Sequence, residues 1–266
     1  MSPVLTETSS NCGIVTFMRL SADTPNTISR QQSARSLRAP AVVLLLPALG
    51  LMVLALSGAN TLTLMVAVLL ALAAGGAVYY RAEQSGVAFG WANSLTLARA
   101  GLVSVLAATL LDPALYREQA WIMAGLALLT LALDGLDGWL ARRLNECTDF
   151  GARFDMEVDA ALILVLCLGV MAAGLAGPWV VLLGLMRYAF VAAAFFLPWL
   201  GAPLPTSLRR KAVCVWQVAA LLLALTPVVG PIASGAILLS ALLSLALSFS
   251  IDIGWLWRRR ASIALT

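Results

Sequence analysis

Residues 134–159 read DGLDGWLARRLNECTDFGARFDMEVD, between two apolar runs, AWIMAGLALLTLAL at 120–133 and AALILVLCLGVMAA at 160–173. Seven of the chain's 13 acidic residues fall in this stretch: Asp134, Asp137, Glu146, Asp149, Asp155, Glu157 and Asp159. Charge among apolar spans is costly unless it binds something. The stretch therefore carries both the fold reading and the site reading.

The apolar flanks set the fold class. Of 266 residues, 61% are hydrophobic and 11% charged, with a mean hydropathy of +0.94. A soluble domain carries about 25% charged residues. The expectation is an all-α integral membrane protein. Eight spans of roughly bilayer length are expected at 40–57, 60–80, 92–111, 120–142, 154–173, 178–200, 212–228 and 232–256. The first two form a tight hairpin around Gly58 and Asn60. Residues 1–39, polar and without apolar period, read as a disordered cytoplasmic tail, and 258–266 as a second tail. A cleaved signal peptide is the rival for the first run, but the tail ahead of it is long and further spans follow.

Charge patterning sets the orientation. With the N-terminus in the cytoplasm, 14 of the 17 basic residues lie on the cytoplasmic side and Arg117 alone lies outside, while Arg99 and Arg187 fall within spans. Both termini and the acidic stretch are then cytoplasmic, in a multi-pass protein of a bacterial-type inner membrane. The net charge of +4 reflects these flanks and not a nucleic-acid surface. There is no His and no CxxC pair among the four cysteines, so zinc is not expected. Nor is a disulfide framework, since Cys167 and Cys214 lie within spans. Tyr79, Tyr80, Trp91, Trp121, Trp179, Trp199, Trp255 and Trp257 mark span ends, as an interfacial belt would.

Helical phase divides the acids. At about 100° per residue, Asp134, Asp137, Gly138 and Ala141 form one stripe, and Asp155 and Asp159 share another. A short turn joins the two helices, so antiparallel packing would bring four carboxylates together. Such like charges call for divalent cations, and oxygen-only ligands favour Mg²⁺, Mn²⁺ or Ca²⁺. Metal, phosphate and a spare carboxylate are the parts of a phosphoryl-transfer site. The bland alternative, buried salt bridges, has too few basic partners within the spans for four aspartates. Glu146, Asp149 and Glu157 read as solvated or peripheral charges.

The spacing D-x2-D-G-x2-A-R-x8-G-x3-D-x3-D resembles the signature of the CDP-alcohol phosphatidyltransferase family, matched by Asp134, Asp137, Gly138, Ala141, Arg142, Gly151, Asp155 and Asp159. The resemblance implies a six-helix catalytic bundle, here 92–257, preceded by the extra hairpin at 40–80. It implies two Mg²⁺ or Mn²⁺ ions on Asp134, Asp137 and Asp155, with Asp159 as general base and shared ligand. Gly138, Ala141 and Gly151 would lie by the nucleotide and Arg142 by the pyrophosphate. Substrates would be CDP-diacylglycerol or another CDP-alcohol and an acceptor alcohol, with CMP released, in a homodimer surrounded by membrane lipids. A second element, WANSLTLARA at 91–100, resembles the family's P-N-x-L-T-x-x-R entry, with Ala92 in place of Pro. Asn93 and Thr96 there offer hydrogen bonds to nucleotide or phosphate, Asn93 also fits as an N-cap, and Arg99 would reach a phosphate.

Arg187 lies mid-span, and an intramembrane arginine is a functional candidate by default. It reads either as an anion site for the acceptor or as a partner of the acidic cluster. Arg209, Arg210 and Lys211 open the seventh span in SLRRKAVCVWQ. This resembles loosely the G-K-x-K-T-x-x-Q segment of members that take a phosphorylated acceptor, with Lys211 and Gln217 in register and Val213 and Cys214 departing. These groups favour an anionic acceptor such as glycerol 3-phosphate or an inositol phosphate; an ordinary positive flank is the alternative. Competing functions are a CDP-amino-alcohol-type phosphotransferase, an intramembrane prenyltransferase, a transporter, or an inactive family member.

Overall fold

A computed structural model describes residues 40–84, 90–144, 146–202, 204–205 and 207–263. The tail expected at 1–39 and residues 264–266 lie outside them. Nine α-helices are described: α1 Pro40–Leu56, α2 Thr61–Gln84, α3 Trp91–Ala108, the short α4 Pro113–Glu118, α5 Ala120–Leu144, α6 Asp149–Ala172, α7 Val181–Phe196, α8 Leu208–Leu225 and α9 Pro231–Ile263. No strand occurs among the described residues. The protein is an all-helical membrane protein.

Among the described residues, five stretches are long and apolar enough to cross a membrane: Thr61–Gln84, Trp91–Leu111, Ala120–Leu144, Pro178–Phe196 and Pro231–Arg260. The other expected spans differ for local reasons. The apolar part of α1, Val43–Leu56, is shorter. Asp155, Glu157 and Asp159 interrupt α6, and Arg209, Arg210 and Lys211 open α8. The last helix runs through Arg258 to Ile263.

Local chemistry explains the turns. Gly58 ends α1 at φ 87°, where a side chain would be strained, and Asn60 Oδ1 accepts the Thr63 N–H at 2.8 Å to start α2. Thr148 Oγ1 accepts the Gly151 N–H at 3.0 Å. This cap starts α6 at Asp149, five residues before the expected span start, and brings Gly151 inside the first turn.

The centre of the bundle is α3. It packs against α1, α2, α5 and α6. Of its apolar stretch 72% is buried, against 11% for that of α2, so α2 faces lipid and α3 faces protein. The approach of α1 is close: a β-carbon on Gly101 would run into the Pro47 ring. The antiparallel α5–α6 packing expected from the sequence is corrected here. The two helices touch little, and each packs on α3, which brings a side chain between their acidic stripes.

Of the cysteines, Cys167 is buried and Cys214 exposed, both as free thiols. Cys147 is disulfide-bonded.

Candidate active site

That intervening side chain is Arg99, which is fully buried. Its guanidinium stands among all four signature aspartates. Nη1 donates to Asp137 Oδ2 and Asp155 Oδ1, each at 2.7 Å. Nη2 lies 2.5 Å from Asp159 Oδ1 and 2.9 Å from Asp134 Oδ1. Nε donates to the Thr130 carbonyl at 3.2 Å. A guanidinium has five N–H donors, and five acceptors surround this one.

Two sequence expectations change. Arg99 was expected to reach a phosphate, but its donors face carboxylates. The sequence offers too few basic residues within the spans for buried salt bridges, yet one arginine partners all four acids. It does not balance them, since one positive charge faces four negative ones.

The four acids are not equivalent. Asp137 is 3% exposed. Its Oδ2 accepts from Arg99 and, at 2.9 Å, from the Thr96 hydroxyl, while its Oδ1 is buried without a hydrogen-bond partner. Asp134, Asp137 and Asp155 each bring a carboxylate oxygen within 4.8 Å of the others. Three hard carboxylate ligands, one of them with a buried oxygen left unpartnered, fit a Mg²⁺ or Mn²⁺ ion. Asp159 stands outside that group and is the most open of the four, at 42%.

The remaining signature residues lie around this centre. Gly138 is half-buried, and Arg142 Nη1 would sit 3.5 Å from a β-carbon placed on it. Arg142 is exposed and Ala141 half-buried on the same helix end. A β-carbon on Gly151 would come 2.7 Å from Asn93 Oδ1, so glycine there lets the starts of α3 and α6 meet. The N-cap of α3 is Gly90, not Asn93, which is buried inside the first turn.

The basic residues assigned to the acceptor are mostly paired. Arg187 Nη2 binds Glu157 Oε1 at 2.9 Å, not the tetrad, and its Nε is buried and unpartnered. Arg209 and Arg210 converge on Asp252 Oδ1 at 2.5 and 3.3 Å. Arg209 also holds the Ser248 hydroxyl and carbonyl, and Arg210 the Pro205 carbonyl. Lys211 is exposed. Gln217 donates to the Leu183 carbonyl at 2.6 Å, tying α8 to α7.

Sequence reasoning missed two residues here. Asp252, 10% exposed, is a lone acid in an apolar helix, and that isolation was the available signal. Glu146 was read as peripheral, but its carboxylate accepts the Ala92 N–H at 3.0 Å.

In comparison with known proteins, a family model described as CDP-alcohol phosphatidyltransferase matches residues 89–250. The match takes in α3, all four aspartates, Arg187 and residues 209–211. No curated protein and no solved structure matches the chain.

Proposed function

The chain belongs to the CDP-alcohol phosphatidyltransferase family, and from that premise we propose that it transfers a phosphatidyl group from CDP-diacylglycerol to an anionic alcohol. Glycerol 3-phosphate and an inositol phosphate are the acceptors of that kind, and CMP leaves. The coarser activity, transfer from a CDP-alcohol to an alcohol, is that of the family.

One observation carries the residue assignment: the aspartates divide into three and one. Asp134, Asp137 and Asp155 each bring a carboxylate oxygen within 4.8 Å of the others, and Asp137 keeps a buried oxygen without a partner, whereas Asp159 falls outside that group and is the most exposed of the four. Mg²⁺ or Mn²⁺ held by the first three would supply positive charge to the donor's pyrophosphate. Asp159 accepts the proton of the acceptor hydroxyl. The freed oxygen attacks the phosphorus that bears the diacylglycerol, and the P–O bond to CMP breaks. Arg142, exposed at the end of α5, meets the departing phosphate. Arg187, Arg210 and Lys211 favour negative charge on the acceptor side. The cytoplasmic opening rests on the 14-to-1 distribution of basic residues, and the homodimer on the family resemblance.

The test is an incubation of purified protein with CDP-diacylglycerol, Mn²⁺ or Mg²⁺ and a panel of alcohols, with CMP as readout. CMP release that requires an anionic alcohol is expected. Release that requires a neutral amino alcohol, or none with any acceptor, counts against the proposal. Asp159→Asn should lower turnover by about 10³-fold while Mn²⁺ stays bound. Near-normal turnover in that variant removes Asp159 from the role of base.

A further inference from the structure

The first turn of an α-helix has N–H groups with no intrahelical acceptor. In α3 the N-cap is Gly90, which has no side chain to offer one. The acceptor comes from far along the chain, as Glu146 Oε2 takes the Ala92 N–H at 3.0 Å. A carboxylate in this place is favoured by the helix dipole as well. Glu146 also closes a second helix: its own N–H donates to the Ala141 carbonyl at 2.9 Å, where α5 ends. One residue thus finishes the helix that carries Asp134 and Asp137 and starts the helix that carries Thr96 and Arg99.

Two neighbouring positions suit this arrangement. A β-carbon on Gly90 would fall inside the Glu146 carboxylate. The φ of Gly90 is −82°, which any residue adopts, so the volume and not the backbone calls for glycine. Ala92, where the family resemblance leads one to expect proline, supplies an N–H that proline lacks. The departure and the contact explain each other.

From this geometry we propose that Glu146 is a positioning residue for the transfer reaction. It sets where α3 begins relative to the end of α5, and so where Arg99 and Thr96 stand among the aspartates. Because Asn93 meets Gly151 in the same turn, the start of α6 is set with them. The inference rests on the transferase reading of the site.

In the full-length protein, Glu146→Ala should lower kcat for CMP release about fivefold, the size of an ordinary helix cap. Gly90→Ala, which displaces the carboxylate, should act in the same direction. Glu146→Gln keeps an acceptor oxygen and should stay near wild type. Ala92→Pro removes the N–H that needs a partner, and proline is accommodated in a first turn. In the Glu146→Ala protein it should recover folded yield but not kcat, because α3 stays untied from the end of α5. A purely capping role would let proline at position 92 restore kcat as well, and that result overturns the inference. Amide hydrogen exchange at residues 93–96 gives a readout independent of turnover and should quicken in Glu146→Ala. Wild-type CMP release with unchanged kcat and exchange in Glu146→Ala overturns the inference and leaves the transferase reading standing. Failure of wild type to release CMP from any CDP-alcohol overturns that reading, and the exchange result then decides the inference alone.

Discussion

Two charged clusters stand in this apolar bundle, built with opposite signs. Around Arg99, one guanidinium faces four carboxylates. Around Asp252, one carboxylate faces two guanidiniums, with Ser248 and Pro205 taking further donors. Counted formally, the first cluster has three negative charges in excess, with a fully buried arginine and a buried oxygen with no partner. The second has one positive charge in excess, and its arginines are 31% and 23% exposed. Excess charge of one sign in a low-dielectric setting demands a further counter-ion. The Asp252 cluster is nearly balanced, reaches water, and fastens α8 to α9. The same residue types therefore serve different ends, and the uncompensated charge separates a site for chemistry from a joint between helices.

The comparison breaks most directly at Asp137. Asp137→Asn should lower CMP release by about 10³-fold or more and abolish high-affinity Mn²⁺ binding measured by electron paramagnetic resonance. Chelation with EDTA should stop the wild-type reaction reversibly. Wild-type Mn²⁺ affinity in the variant would sink the metal assignment.

Arg99→Met tests the excess itself. Four carboxylates would be left without their internal cation, a loss of about 3–5 kcal/mol, seen as a lower unfolding midpoint. Added Mn²⁺ should recover part of it, because an ion that binds only the native state stabilises that state. Arg209→Met should lose stability without such recovery. Equal rescue of both variants would erase the distinction between the clusters.

Asp252→Asn should cost about 1–2 kcal/mol, less than a fully buried pair, because its arginines keep contact with water. Turnover at saturation should not change. The apparent KM for an anionic acceptor should fall, as Arg210 is released toward it. The smallest effect belongs to Glu157→Gln. Glu157 is 61% exposed and its partner Arg187 34%, so the unfolding midpoint should move by the equivalent of less than about 1 kcal/mol.

Much of this was legible in the sequence. Apolar runs of bilayer length gave the helical membrane class, and the turn at Gly58 and Asn60 followed from their backbone chemistry. The spacing of Asp134, Asp137, Asp155 and Asp159 on helical faces gave the convergence of carboxylates. Illegible were the contacts that depend on a third element. Helical phase describes one helix at a time, so it could not show α3 inserted between α5 and α6, or Arg99 meeting both. Glu146 lies in the turn after α5, and its partner Ala92 is 54 positions earlier, with no periodicity linking them. Asp252 was passed over because its partners begin α8, while its own surroundings in α9 are apolar.

The hairpin of α1 and α2 lies outside every sequence match, yet it packs on the far side of α3. Because the Pro47 ring fills the space over Gly101, the helix bearing Arg99 is walled by protein where a lipid chain would otherwise lie. Lipid adapts its shape to a side chain, and packed protein does not. Residue choice along the two helices is therefore governed differently. In α2 one apolar residue should exchange for another with little consequence. At the buried positions of α3 the volume is fixed, and a single added methylene there would be felt at the aspartates.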